Sequence, residues 1–74
     1  MSASRGYSQG RRELTPRMRD VLRSAAAGAS ARETGLELHV SVGTVKTVRA
    51  AACARLEAPN LIAACVTAYR RGEL

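Results

Sequence analysis

The chain has 74 residues, enough for one domain but too few for a nucleotide-binding α/β fold with a second domain, a barrel or a kinase. Hydrophobic residues make up 46% of it, but there is no Phe or Trp and many of these residues are alanine, so the core must be small. A formal net charge of +6, with arginine as the main cation, favours a polyanionic partner such as nucleic acid, although a solvated basic surface would have the same composition.

Simple patterns exclude several classes of protein. No apolar run approaches the ~18 residues that a membrane span requires, and the first residues lack the apolar core of a signal peptide. Cys53 and Cys65 are twelve positions apart and far from His39, which is not the spacing of a zinc site. We therefore expect no metal, no cofactor and no membrane contact, and a cytoplasmic protein whose cysteines are small buried hydrophobic residues. We also find no nucleophile, base and orienting group that would indicate an enzyme.

The beginning of the chain divides into a tail and a domain. Residues 1–12 are polar and basic without periodicity, and we interpret them as a flexible tail; residues 13–74 form the domain. The first predicted helix begins at Thr15 and Pro16, because threonine is a good N-cap and proline suits the first helical position. Gly28 is its expected end, since glycine accepts the left-handed conformation that follows many helices.

Two more helices follow at short intervals. Ser30 and Glu33 have the spacing of a capping box, which predicts a short second helix. Ser41 is the expected cap of a third helix over about residues 42–56. One stripe of this third helix is apolar and can pack inward, while the other side presents polar and basic groups. The stripe consists of Val45, Val48, Ala52 and Leu56.

The last predicted helix runs over about residues 60–71, with Asn60 as its cap. It is apolar on more than one side, so it has more apolar surface than a small core can cover. We therefore expect this helix to pack against a second copy of the chain. The residues predicted for this dimer contact are Leu61, Ala64, Cys65 and Ala68, which form a narrow stripe that could also be core alone. With no strand pattern or repeat, the prediction is an all-α fold of four helices, with the second and third as a helix-turn-helix.

An ordered set of residues between Leu14 and Ala68 resembles the LuxR/GerE-type helix-turn-helix DNA-binding domain, which is also known from NarL-type response regulators. The similarity is strongest around the second and third helices. The matching segments are Leu14-Thr15-Pro16-Arg17, Ala27-Gly28-Ala29-Ser30, Leu38-His39-Val40-Ser41, Gly43-Thr44-Val45-Lys46-Thr47, Arg55-Leu56 and Asn60. Because only a short tail precedes them, the chain looks like the stand-alone GerE kind, without a sensory domain.

The resemblance implies a sequence-specific DNA-binding transcriptional regulator. Its third helix would enter the major groove of double-stranded DNA, and its fourth would form a homodimer. By position in the family, Lys46, Thr47 and Ala50 would face the bases, and Ser41 and Thr44 would lie near the phosphates. Arg49 is added as a second side chain able to pair with guanine.

Several positions depart from the family pattern, and three of them lie on the predicted third helix. Val42 stands where the family usually has Glu, Val48 where it often has His, and Arg49 where Val or Leu is usual. Either Arg49 turns towards DNA while Val48 packs inward, or the third helix is rotated or distorted. The departures also favour an alternative hypothesis, in which the chain keeps the fold but binds another transcription factor or RNA polymerase.

Overall fold

The computed structural model describes residues 13–74, and the predicted tail of residues 1–12 lies outside the described residues. Four α-helices follow one another in this range, and the prediction of an all-α fold is confirmed. They are α1 (Pro16–Ala26), α2 (Ala31–Leu38), α3 (Val42–Arg55) and α4 (Leu61–Arg70). None of the helices in residues 13–74 is long and apolar enough to cross a membrane.

Each helix begins where the sequence predicts, because a side chain caps its first turn. The side-chain oxygens of Thr15, Ser30, Ser41 and Asn60 accept hydrogen bonds of 2.8–3.1 Å from backbone N–H groups three residues further on. At α2 the capping box is complete, since the backbone N–H of Ser30 donates to Glu33 Oε1 at 2.8 Å. Such a cap typically contributes about 1 kcal/mol to stability.

The core lies where α1, α3 and α4 meet. α1 and α3 pack against each other, α2 packs against both of them, and α4 packs against both as well. The buried hydrophobic side chains are small or aliphatic, as the composition requires. They are Leu14, Met18, Val21, Leu22, Val45, Ala52, Leu56, Ala64 and Ala68.

The turn between α2 and α3 is tight. His39 ends α2 in the left-handed conformation, with φ of 61°, and the Val40 N–H donates to the Gly35 carbonyl at 2.9 Å. A Cβ atom on Gly35 would lie 2.7 Å from the Val40 carbonyl oxygen. The turn and the start of α3 can approach α2 this closely only because residue 35 has no side chain.

A polar network joins α1 to α2. Ser24 and Thr34 are buried, and their hydroxyl oxygens are 2.7 Å apart. Ser24 Oγ donates to Glu37 Oε1 at 2.9 Å. Because a serine hydroxyl has one proton, the Thr34 hydroxyl is the donor in the first of these bonds. Both buried hydroxyls are thus satisfied.

The two ends of the domain meet at Glu73. Its Oε1 accepts a hydrogen bond from the Leu14 N–H at 3.1 Å, and its Oε2 lies 3.1 Å from Arg71 Nη2. Arg19 Nη1 is 3.7 Å from the same carboxylate, whose side chain is only 13% exposed. These contacts hold the residues before α1 against the residues after α4.

Candidate nucleic-acid interface

α3 has a buried face and an opposite exposed face. Val45 and Ala52 have no exposed surface, while Lys46, Thr47 and Ala50 are exposed. A helix turns by about 100° per residue, which places these three on the side of α3 away from the buried pair. The structure thus brings three of the predicted base-facing residues together on one accessible surface.

The amino-terminal end of α3 is also accessible. Ser41 and Thr44 are both exposed. Ser41 Oγ accepts from the Thr44 N–H at 3.0 Å and donates to Thr44 Oγ1 at 2.9 Å. The N–H groups of the first turn carry the positive end of the helix dipole, so this end attracts anions. Ser41 and Thr44 therefore lie beside the exposed face at the point where a phosphate would be favoured.

Arg49 does not share that surface. Its Nη2 donates to the Ala29 carbonyl at 3.3 Å, and its Nε is buried without a hydrogen-bond partner. The expectation that Arg49 turns outward with Lys46 is therefore corrected by the structure. The helical period could have revealed this, because Arg49 follows the buried Val45 by four residues and so lies beside the inward stripe.

Comparison with protein families identifies the domain. The family model GerE, described as bacterial regulatory proteins of the luxR family, matches residues 12–68. The chain belongs to this family. It is accordingly a DNA-binding regulator of the helix-turn-helix kind, with α2 and α3 as that unit. Searches of curated proteins and of solved structures give no match.

Only part of the α4 stripe that was predicted to form a dimer is accessible in this GerE domain. Ala64 and Ala68 have no exposed surface and belong to the core. Leu61 and Cys65 are half-buried against the same core, and Cys65 Sγ donates to the Leu22 carbonyl at 3.6 Å. The prediction is wrong for Ala64 and Ala68, since a side chain without accessible surface cannot contact a second subunit. The small residues let α4 approach α1 closely.

A different face of α4 is exposed and apolar. Ile62 is 78% exposed, Val66 44% and Tyr69 74%. Together with residues of α1 they line a groove of about 520 Å³, and Arg23 and Arg70 also border it. The excess of apolar surface that the sequence indicated for α4 is thus real, but it is carried by the larger side chains beside the predicted stripe.

Of the two cysteines of the GerE domain, Cys65 borders this groove. Cys53 and Cys65 are free thiols and half-buried. Burial raises the pKa of the Cys65 thiol above its ordinary value of 9.0, the neighbouring Cys53 adds to the rise, and the nearby Arg49 opposes it. Cys65 is therefore a neutral thiol at neutral pH. Among residues 13–74 no cluster of three or more His, Cys, Asp or Glu residues could hold a metal ion.

Proposed function

We propose that this GerE-family chain regulates transcription by reading a specific DNA sequence with α3 in the major groove. The observation that carries the proposal is the exposure of Lys46, Thr47 and Ala50 on the side of α3 opposite the core. The net charge of +6 supports it, because a basic surface is attracted to the duplex and releases counterions from it.

Each side chain of the exposed face has a definite chemistry towards DNA. Lys46 can donate to guanine O6 and N7, and Thr47 can hydrogen-bond a base edge or contact a methyl group. Ala50 has no hydrogen-bonding group, so it offers only an apolar contact, for example to a thymine methyl. Ser41 and Thr44, with the first turn of α3, are assigned to the phosphates. Few side chains are thus assigned to the bases, so phosphate contacts must supply much of the affinity for DNA.

The proposal includes a homodimer formed through α4. A single domain of this size would bind DNA weakly, whereas two copies could place their recognition helices about one DNA turn apart, roughly 34 Å. The exposed Ile62, Val66 and Tyr69 supply an apolar surface for this contact. They replace the buried alanines as the proposed dimer residues, with Leu61 and Cys65 at the edge. The free cysteines fit a reduced, cytoplasmic setting.

Titration of a mixed-sequence duplex at several salt concentrations tests the DNA-binding proposal. Several phosphate contacts would make the logarithm of the binding constant fall with the logarithm of salt concentration, with a slope of roughly several units. Selection from a random pool of duplexes then tests specificity and half-site spacing together. Absence of duplex binding at low salt would contradict the proposal.

A second candidate function is regulation through protein contact, with another transcription factor or RNA polymerase as partner. Exposed apolar residues outside the α4 surface favour it, since Leu36 on α2 is 72% exposed and Val42 on α3 is 38% exposed. Binding of a purified polymerase without binding to any duplex would favour this candidate.

A further inference from the structure

The helix-turn-helix has one unusually close contact near its turn. α2 and α3 are joined by the residues His39–Ser41, and Gly35 lies against the Val40 carbonyl. This contact fixes the separation of the two helices at their joined ends. The angle between them depends also on contacts further from the turn, which include the packing of α1 against both helices.

Arg49 makes such a contact. It lies seven residues after Val42, about 10 Å along α3 at 1.5 Å per residue. Its acceptor, the Ala29 carbonyl, precedes the eight residues of α2, so it lies on the order of 12 Å from the turn. The 3.3 Å bond from Arg49 Nη2 to Ala29 therefore connects α3 to the chain at the far end of α2. A connection at that distance from the turn constrains the angle more strongly than one near the turn.

The bond is poorly suited to stabilising the fold. Its length is long for a charged donor, and the buried Nε of the same guanidinium has no partner. No ion pair with a carboxylate involves Arg49 among the described residues. A half-buried cation with an unsatisfied N–H contributes little stability, and an apolar replacement of similar volume is often neutral or stabilising.

Arg49 therefore contributes to the orientation of α3 more than to the stability of the fold. Its planar guanidinium holds one carbonyl at a set distance. The same bond keeps it away from the exposed face formed by Lys46, Thr47 and Ala50. We propose that Arg49 is a positioning residue, which sets the angle at which α3 meets the bases and does not itself contact DNA. This inference rests on the DNA-binding function proposed above.

The variants Arg49→Leu and Arg49→Lys test it, with Arg17→Leu as a control that removes the same charge from an exposed position in the first turn of α1. Each is titrated with the duplex that the wild-type chain selects from a random pool, with single-base variants of that duplex, and with a mixed-sequence duplex at several salt concentrations. Thermal unfolding of each variant is measured in parallel.

For Arg49→Leu we expect the preference for the selected duplex over mixed sequence to fall about tenfold, which is the effect typical of losing one contact. The loss should be spread over all the base pairs that α3 reads. The salt dependence and the midpoint of thermal unfolding should stay unchanged, or the midpoint should rise. Arg49→Lys should keep part of the preference, because an ammonium group can still donate to the Ala29 carbonyl. Arg17→Leu should keep all of it.

Other outcomes would overturn the positioning role in distinguishable ways. Loss of discrimination at a single base pair would show that Arg49 reads a base, and a salt slope lower by about 1 would show that it contacts a phosphate. Unfolding of Arg49→Leu would show that it holds the core, and unchanged discrimination would show that it has no part in recognition. Failure of the wild-type chain to bind any duplex would instead overturn the proposed function, and the positioning role with it.

Discussion

Val45 and Lys46 are adjacent in the sequence, yet one has no exposed surface and the other is exposed. A helix produces this contrast because successive residues are about 100° apart around its axis. The same rotation places Thr47 and Ala50 beside Lys46 and turns Arg49 towards the α1–α2 junction. At the scale of single residues, the candidate interface is thus defined by which side of α3 a side chain occupies.

Lys46 is expected to be the main base contact. Lys46→Ala should weaken binding to the selected duplex by about 1–3 kcal/mol, and thermal unfolding should be unaffected because the side chain is exposed. Fluorescence anisotropy with a labelled duplex measures the change. Arg17→Ala, which removes an exposed charge from α1, is the matched control. Equal affinity of Lys46→Ala and the wild type would remove Lys46 from the interface.

The Cys65 thiol should make stability depend on pH in the alkaline range. Because its pKa is raised in the folded state, folding favours the protonated thiol. The contribution of the protonated thiol to the free energy of unfolding is fully present below the ordinary pKa of 9.0. It is lost as the pH rises through the higher pKa of the folded state. Urea unfolding between about pH 7 and 10 should show a steeper fall above pH 9 for the wild type than for Cys65→Ala. If the stability of the wild type and of Cys65→Ala fell equally with pH, the raised pKa of Cys65 would be contradicted.

At the scale of elements, the junction of α2 and α3 helps to determine how α3, the proposed recognition helix, is presented. Gly35 is unfavourable for an isolated helix, by about 1 kcal/mol relative to alanine. Its presence is explained by the Val40 carbonyl, which occupies the space a side chain would need. The cost to the helix is offset by a tight turn.

Gly35→Ala should therefore destabilise the domain despite the better helix propensity of alanine. With its Cβ 2.7 Å from the Val40 oxygen, the turn must shift, and we expect a loss of about 1–3 kcal/mol in the free energy of unfolding. Gly43→Ala is the matched control, because the nearest atom to its Cβ would be Ser41 Oγ at 3.8 Å. Chemical denaturation of both variants gives the comparison. A stabilised Gly35→Ala would show that the turn relaxes freely.

At the scale of the whole molecule, α4 has two apolar faces with different surroundings. Ala64 and Ala68 close the core against α1, while Ile62, Val66 and Tyr69 face outward. An isolated core this small contributes only a few kcal/mol of net stability. Covering the outward face in a dimer would add to it, since association with the folded state stabilises that state.

Introducing a carboxylate should have different effects on the exposed and the buried face of α4. Ile62→Glu, at a side chain that is 78% exposed, should leave the fold intact and lower the mass measured by sedimentation from dimer to monomer. Ala64→Glu, at a position with no exposed surface, should unfold the chain because a carboxylate there has no partner. A wild-type chain that sediments as a monomer would contradict the dimer.

The helix starts and the inward stripe of α3 were predictable from the sequence because both depend on residues a few positions apart. A cap such as Ser41 bonds to an N–H three residues away, and Val45 and Ala52 share a face through the helical period alone. All four N-cap residues lie within residues 15–60, so the number and order of the helices could be predicted from the sequence.

The tertiary structure decided the properties that depend on distances between helices. The direction of the Arg49 side chain depends on the position of the Ala29 carbonyl, 20 residues away in sequence. Which apolar face of α4 is buried depends on how closely α1 approaches it, and small alanines permit the closest approach. The contact between Leu14 and Glu73 joins residues 59 positions apart. Periodicity shows that a face is apolar, but only packing against the other helices determines whether that face is covered.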